Sequence, residues 1–254
     1  MSWIDPAAEP DFPPLLSGRR VVPGTAALDG AVAGAMAGEL TAGDVIWESD
    51  PARVALTVVL QPDVALRQGA QMLPLAMVAL ADCIGSLAPP QVGVMFRWPG
   101  TVTVNGARVG EVRVVAPGAA PDAVPDWLVV AVDVGMQLGA DEAEPGTSPD
   151  RTTLAEEGCA ELTYIDVMGS FSKHLLTWIN IWEDEGFKPV HKSWMERVEE
   201  QSQYQSQSVA VKGMDEDGNL IVGVADGSVR LLALVDTIET IGAADRSGDQ
   251  EGAG

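Results

Sequence analysis

An Asn-Gly dipeptide at residues 105–106 constrains the folding of this chain more than any other feature. Both residues tolerate a positive φ angle, and Asn-Gly between β-prone runs forms the two-residue turn of a hairpin. A Trp-Pro dipeptide at 98–99 precedes the first run, and a cation, Arg108, begins the second. The segment from Arg97 to Glu111 therefore predicts a tight turn, a strand, a hairpin turn and a second strand.

Hydrophobic patterning predicts the other elements as a mixture of helices and strands. Small residues predict a helix over 25–40. A long apolar stretch predicts a buried helix over 66–87 that Pro74 either opens or kinks. Further strands are expected at 44–49, 54–60, 93–96, 102–104, 109–115 and 128–134, and further helices at 160–185 and 189–199. This order, with the helices on one side of a largely antiparallel sheet, predicts the α+β class.

Composition divides the chain into one main domain and shorter flanking segments. The Pro- and Gly-rich residues 1–24 predict an extended segment, and the main domain is expected to cover 25–200. The polar run 201–208 predicts a linker. Residues 209–240 contain three strand-like runs separated by Asp-Gly turns, which predict a small β-meander. The Gly- and charge-rich residues 241–254 predict a disordered tail.

The formal net charge of −22 bears on the classes of partner. Phosphate backbones and anionic membrane surfaces would repel such a chain, so we expect neither nucleic acid nor membrane as a partner. The longest apolar run, 72–89, is interrupted by Pro74 and Asp82, and we expect it to be too short to span a membrane. The N-terminus lacks a basic region followed by an apolar one. These patterns predict a cytoplasmic protein.

Cysteine and histidine spacing indicates no metal site, because neither a CxxC pair nor a Cys/His cluster is present. Cys83 lies in the predicted core helix, where we expect an inert thiol. Cys159 follows two glutamates, whose charges would raise its pKa. His174 and His191 lie in predicted helices and are expected to have no catalytic role.

Segments throughout the chain resemble one known family. Residues 97–111 resemble the Lys-Trp-Pro-Asn-Asp…Gly-Arg-Lys-Leu-Ala-Gly motif of the biotin/lipoate A/B protein ligase family. Residues 54–62 resemble its strand ending in Leu-x-Pro, and 152–158 resemble its Thr-Ser-Leu-x-Glu-x-Gly segment. The similarity extends over about 25–235. It implies the ligase-like catalytic fold followed by a small SH3-like β domain.

The resemblance also implies an activity and its participants. Members of the family make an acyl adenylate from ATP with Mg²⁺ and then acylate a lysine of a carrier domain. Biotin, lipoate or octanoate is therefore the implied substrate, and a biotinyl or lipoyl carrier domain is the implied partner. No tightly bound cofactor is implied.

Site residues follow from the same alignment of motifs. The two lysines of the family motif fall at Arg108 and Arg97, which are thereby the implied catalytic cations. The implied ligand-binding positions are Trp98, Asn105, Arg53, Asp133 and Glu111. A structural role is the alternative for Trp98, and an ordinary surface role is the alternative for the two arginines.

Several positions change the chemistry of the family motif. The connection 50–53 replaces a long Gly-Arg-rich ligand loop, and Arg53 is its only cation. Glu111 stands at a glycine position, where its carboxylate would repel a phosphate. Asp133 lies on an apolar strand. Its carboxylate therefore requires either an ion pair with Arg108 or Arg97, or a position at a strand end that faces water.

Three functional hypotheses follow from these substitutions. The first is an acyl-protein ligase with altered substrate choice. The second is a catalytically degraded relative that binds a small molecule, a nucleotide or a carrier domain. The third is a cysteine acyltransferase, and no residue pattern indicates the oligomeric state.

Overall fold

The computed structural model describes residues 8–138, 150–204, 207–224 and 227–241. The helices are α1 (Ala27–Met36), α2 (Leu66–Gly69), α3 (Met72–Leu87), α4 (Tyr164–Glu185) and α5 (Lys188–Met195). The strands before α4 are β1 (Ser17–Arg20), β2 (Asp44–Trp47), β3 (Arg53–Leu60), β4 (Val94–Arg97), β5 (Thr101–Val104), β6 (Ala107–Pro117) and β7 (Leu128–Gly135). The strands after α5 are β8 (Gln201–Tyr204), β9 (Gln207–Met214), β10 (Leu220–Gly223), β11 (Val229–Leu232) and β12 (Glu239–Ile241).

The main sheet has the strand order β1-β2-β3-β7-β6-β5-β4, with β12 added beside β6. Its pairs are antiparallel except β1–β2 and β12–β6, which are parallel. The predicted hairpin is confirmed as β5–β6, with Asn105 at φ 50° and Gly106 at φ 89°. The fold is therefore α+β, as predicted, around a mixed sheet that is mainly antiparallel.

Helices cover both faces of this sheet, which corrects the expectation of helices on one side. One set of strand residues, including Leu56 and Val132, packs with α3 and α4 in the larger hydrophobic core. The alternate set, including Val59 and Val129, packs with α1 in a second core. The central strands are apolar on both faces, so each face requires a cover.

The predicted long helix over 66–87 is divided into α2 and α3. Pro74 is the third residue of α3, where its missing N–H costs no intrahelical bond. In the described part of the chain, Leu66–Leu87 is the one helical segment long and apolar enough to cross a membrane. This corrects the expectation that the apolar run is too short, but 78% of its apolar window is buried inside the protein. Its hydrophobicity is that of a core helix.

The segments flanking the main domain are more ordered than predicted. Within the N-terminal segment, Ser17–Arg20 forms the edge strand β1. The predicted linker contains β8, which pairs with β9. Of the predicted disordered tail, Ile241 belongs to β12, and the remainder lies outside the described residues.

The C-terminal strands β8 to β11 form a four-stranded antiparallel sheet that packs against the main domain. Leu220, Val222 and Leu234 are almost fully buried in the same core as α3. The chain then returns to the main sheet through β12, and Arg113 of β6 pairs with Glu239. The small sheet thus shares its core with the main domain, and the chain beyond it adds one strand, β12, to the main sheet.

Candidate functional site

Four neighbouring strands place polar side chains on the α1 face of the main sheet, beside the area that α1 covers. Asp133 lies directly opposite Ala55 on β3 and directly opposite Glu111 on β6. Glu48 continues the same row, because its backbone N–H donates to the carbonyl oxygen of Ala55. Directly paired residues point to the same face of a sheet, so these carboxylates share one surface.

We call this surface the carboxylate patch. Its members are Glu48, Asp50, Arg53, Arg108, Glu111 and Asp133.

Arg53 is the central cation of the carboxylate patch. Its Nη2 lies 2.7 Å from Oε2 of Glu48, and its Nη1 lies 3.1 Å from Oδ2 of Asp133. Asp50 completes the set, with Oδ2 at 3.8 Å from Nε. The hydrogen bond to Glu48 is the main cause that raises the pKa of Arg53. The guanidinium is thus already surrounded by carboxylates.

The turn between β2 and β3 is closed by its own hydrogen bonds. Asp50 accepts from the backbone N–H of Ala52 at 2.8 Å, and its carbonyl accepts from Arg53. Glu48 also accepts from the N–H of Ala27, the first residue of α1, at 2.8 Å. A carboxylate at that end of the helix satisfies an unpaired donor and complements the helix dipole. The turn is therefore held against both the sheet and α1.

The second arginine of the patch, Arg108, is also paired. Its Nη2 donates to Oε2 of Glu111 at 2.5 Å.

Partial burial is the main cause that raises the pKa of Asp133, and Glu111 and Glu48 raise it further. Arg53 and, more weakly, Arg108 act in the opposite direction. The expected partner of Asp133 is corrected, since the hydrogen-bonded arginine is Arg53 rather than Arg108 or Arg97.

Arg97 lies in a different set of contacts. Its Nε donates to Glu199 at 2.6 Å, and its Nη2 donates to the carbonyl of Gly106 at 2.8 Å. Thr103 donates to the other carboxylate oxygen of Glu199. Arg97 therefore joins the β4–β5–β6 strands to the segment that follows α5.

Trp98 and Asn105 also lie in contacts of the scaffold. Trp98 is 5% exposed and packs edge-on against Trp194, with ring centroids 6.3 Å apart. Asn105 donates to Glu157 at 2.6 Å and accepts from the N–H of Gly93 at 3.2 Å. Of the seven implied site residues, the structure brings Arg53, Arg108, Glu111 and Asp133 together. Ligand binding by the other three stays a prediction.

Two residues of this face were not identified from the sequence. Glu48 directly follows β2, and an acidic residue after a strand is a common pattern with no specific signal. Thr57 is 1% exposed, and among the described residues its Oγ1 is the buried side-chain atom without a hydrogen-bond partner. A single threonine among the aliphatic residues of β3 is its only signal in the sequence.

The cysteines and the metal-binding side chains offer no second reactive centre in the described part of the chain. Burial raises the pKa of Cys83 to about 11. Burial and then Glu157 raise the pKa of Cys159. Raised values disfavour the nucleophilic thiolate, so the geometry does not favour the acyltransferase hypothesis. Nowhere in the described ranges do three His, Cys, Asp or Glu side chains form a group that could hold a metal ion.

Comparison with known proteins supports the resemblance of the motifs. The model of the biotin/lipoate A/B protein ligase family matches residues 12–196. A biotin–[acetyl-CoA-carboxylase] ligase of Paracoccus denitrificans is 26% identical over 193 residues, which are 73% of this chain and 76% of that protein.

Two solved structures show the same architecture. A biotin protein ligase-like protein of unknown function from Silicibacter sp. superposes with a TM-score of 0.82 at 32% identity, over 90% of this chain and 99% of that chain. Biotin protein ligase from Aquifex aeolicus superposes with a TM-score of 0.61 at 14% identity, over 76% and 87% of the two chains, which shows the fold alone. The chain belongs to the biotin/lipoate A/B protein ligase family.

Proposed function

We propose that this chain is a ligand-binding member of its family that does not make an acyl adenylate. The proposal rests on the ion pairs of the two arginines in the carboxylate patch. Arg53 and Arg108 both lie in ion pairs with neighbouring carboxylates. Two guanidinium groups against the four carboxylates Glu48, Asp50, Glu111 and Asp133 leave the carboxylate patch with a formal charge of −2.

The charge of the carboxylate patch separates the two hypotheses. Adenylation requires the enzyme to bind a phosphate group, and the transition state of that reaction carries further negative charge. Catalysis of this type requires free donors and cations aimed at the developing charge. Here a phosphate would have to displace a carboxylate from each arginine. The short turn between β2 and β3 contains no additional cation besides Arg53. Binding without adenylation fits these contacts better than turnover does.

Acyl-protein ligation is the second candidate function. It is supported by the name of the Paracoccus relative and by the position of Arg108, which matches the lysine of the family motif. In that case ATP and Mg²⁺ would be used with biotin, lipoate or octanoate, and a carrier domain would accept the acyl group. Arg108 would have to release Glu111 before it could contact the phosphate. The small C-terminal sheet would correspond to the family's SH3-like domain, and the protein would act in the cytoplasm.

Isotope exchange between pyrophosphate and ATP separates the two candidates. We expect no exchange above the enzyme-free background with biotin, lipoate or octanoate in the presence of Mg²⁺, under conditions in which an active biotin ligase gives a strong signal. Exchange with any of the acids, abolished in Arg108→Ala and retained in Asp63→Asn, would overturn our proposal and establish the ligase. Asp63 is an exposed residue outside the carboxylate patch, so Asp63→Asn controls for the effect of a surface substitution elsewhere on the chain.

A further inference from the structure

Strand β11 is the open edge of the small C-terminal sheet. It ends the strand order β11-β10-β9-β8, and within the described ranges no strand pairs with its other side. The N–H of Val224 donates to the carbonyl oxygen of Ser228 at 3.0 Å, and the β10–β11 register continues from this pair. Hydrogen-bonded and non-hydrogen-bonded pairs alternate along antiparallel strands. The N–H and C=O groups of Val229 and Leu231 therefore point away from β10, toward the position of a further strand.

The side chains at this edge form an apolar surface. Val229 is 65% exposed and Leu231 is 58% exposed. They are two residues apart on one strand, so both lie on the outer face of the sheet. Gly223 and Ile221 are their direct partners on β10, and a Cβ atom added to the neighbouring Gly213 of β9 would meet nothing within 4 Å. An exposed aliphatic pair on an edge strand is typical of a surface that binds another chain.

Two cations beside this edge lack carboxylate partners. Arg230 is exposed and lies between the two aliphatic residues of β11, so its side chain points to the opposite face. Lys212 of β9 lies over the outer face, because its Cε atom would be 3.0 Å from a Cβ atom added to Gly223. Among the residues that the structure describes, neither Lys212 nor Arg230 forms an ion pair.

The acidic side chains of the small sheet lie elsewhere. Residues 215–217 are acidic and occupy the turn at the opposite end of β10 from Gly223, and Asp226 lies outside the described residues. The described charges next to Val229 and Leu231 are therefore cationic, in a chain whose formal net charge is −22. This local charge favours an acidic group beside β11.

We propose that β11 binds an extended segment of a partner protein in which apolar and acidic residues alternate. The segment adds to the sheet as a further strand and exchanges hydrogen bonds with the backbone of Val229 and Leu231. Its apolar side chains lie on the outer face beside Val229, Leu231 and Ile221, and an acidic side chain lies opposite Arg230. Cross-strand pairs of aliphatic residues and of opposite charges both stabilise such an edge.

Charge favours a different protein over a second copy of this chain. Antiparallel pairing of β11 with its own copy, in the register that joins Val229 to Leu231, would place Arg230 opposite Arg230. Like charges in directly opposed positions are destabilising. Two chains that each have a formal net charge of −22 also repel each other. A partner with a carboxylate at this position avoids the first cost and supplies the missing ion pair.

Titration of the full chain with the peptide acetyl-Glu-Val-Glu-Val-Glu-Val-amide, followed by amide NMR shifts, tests the assignment. The salt concentration is about 0.15 M, at which charges more than about 8 Å apart are largely screened. We expect saturable binding with a dissociation constant of about 100 μM, with shifts concentrated on β10 and β11. The neutral peptide with serine in place of each glutamate should bind severalfold more weakly. Proline in place of the second valine removes a backbone N–H donor and should weaken binding at least tenfold.

Three variants locate the surface. Val229→Glu places a carboxylate on the outer face and should weaken binding of the acidic peptide at least tenfold. Val124→Glu is the matched control, since Val124 is an exposed valine outside the small sheet, and it should leave binding unchanged. Arg230→Gln should weaken binding of the acidic peptide severalfold and leave binding of the serine peptide unchanged. Far-ultraviolet circular dichroism and thermal melting verify that each variant is folded.

The inference is overturned if the acidic peptide gives no shifts up to about 2 mM, far above the expected dissociation constant. It is also overturned if the shifts lie outside the small sheet, if the proline peptide binds equally well, or if folded Val229→Glu binds the acidic peptide as the wild type does. Sedimentation without peptide tests the alternative occupant. A wild-type dimer that Val229→Glu converts to a monomer would assign the edge to a second copy and overturn the acidic partner. None of these outcomes depends on ATP or on the carboxylate patch.

Discussion

Two buried threonines differ in whether their hydroxyl groups have a hydrogen-bond partner. Thr103 is fully buried, and its hydroxyl donates to Glu199 at 2.7 Å. Thr57 is equally buried, but its hydroxyl has no partner in the described structure. Burial of a polar group is favourable only when a hydrogen bond replaces the lost water. Thr103 meets that condition and Thr57 does not, so the buried hydroxyl of Thr57 should lower the stability of the folded state.

Replacing Thr57 by valine should stabilise the free protein. The substitution keeps the shape of the side chain and removes an unpaired hydroxyl, so we expect the free energy of unfolding to rise by about 1 kcal/mol. Urea denaturation measures the change. The matched variant Thr103→Val should instead lower the free energy of unfolding by about 1–2 kcal/mol, because Oε1 of Glu199 loses the donor that Thr103 supplies. A loss of stability in Thr57→Val would show that its hydroxyl has a partner.

The raised pKa of Asp133 predicts a pH-dependent effect on stability. The folded state binds this proton more tightly than the unfolded state, in which the carboxyl pKa is about 3.9. Ionisation of Asp133 therefore disfavours folding above its folded pKa, and the penalty disappears as the pH falls below the unfolded value. Asp133→Asn should melt at a higher temperature than the wild type at pH 7, and the difference should shrink toward pH 4.

Calorimetric melting curves between pH 4 and pH 7 test this sign. A difference that stays constant over the range, or that grows toward pH 4, would contradict the raised pKa. Arg53 keeps Glu48 and Asp50 as partners in the variant, so no cation is left unpaired.

At the scale of secondary structure, the close contact between β6 and β7 sets the geometry of the carboxylate patch. Gly110 lies opposite Val134, and a Cβ atom added to it would come within 2.2 Å of the carbonyl oxygen of Asp133. That contact is with backbone, which cannot move aside as a flexible side chain could. The absence of a side chain at Gly110 thus allows the strand carrying Asp133 to approach β6.

Gly110→Ala should therefore destabilise the sheet. Overpacking against backbone predicts a loss of about 2 kcal/mol or more in the free energy of unfolding. Gly213→Ala on β9 is the control, because a Cβ atom there meets nothing within 4 Å. Chemical denaturation of the two variants makes the comparison. Equal stability of the two would show that β6 and β7 can separate without cost.

At the scale of the whole molecule, the C-terminal sheet packs directly against the main domain. Gln71, beside α3, donates to the carbonyl of Asp217, and the ring of His191 contacts the carbonyl of Met214. Leu234 is buried in the core that contains α3. These contacts join segments that composition alone would assign to separate domains.

Calorimetry of the full chain should show one unfolding transition with equal calorimetric and van't Hoff enthalpies. Leu234→Ala should shift that transition as a whole, with a loss of about 2–4 kcal/mol from the cavity it creates. Leu231→Ala is the control, since Leu231 is 58% exposed. Two separate transitions, with only one affected by Leu234→Ala, would establish an independent C-terminal domain.

The sequence by itself determined the features that depend on neighbouring residues. The φ preferences of Asn105 and Gly106 determine a tight turn without reference to the remainder of the chain, and hydrophobic periodicity determines most strands and helices. The motif at 97–111 was sufficient to indicate the family. Four of the seven implied site residues also meet on one surface.

Tertiary structure alone decided the partners of those residues. Asp133 pairs with Arg53, 80 residues away in the chain, and Arg113 pairs with Glu239, 126 residues away. The packing of α1 on the second sheet face and the pairing of β12 with β6 are likewise contacts between segments far apart in the chain. Such contacts depend on the order and register of strands, which result from packing of the whole core rather than from local preference. For that reason the sequence placed charges on the right strands, but only the folded sheet showed that carboxylates surround both arginines.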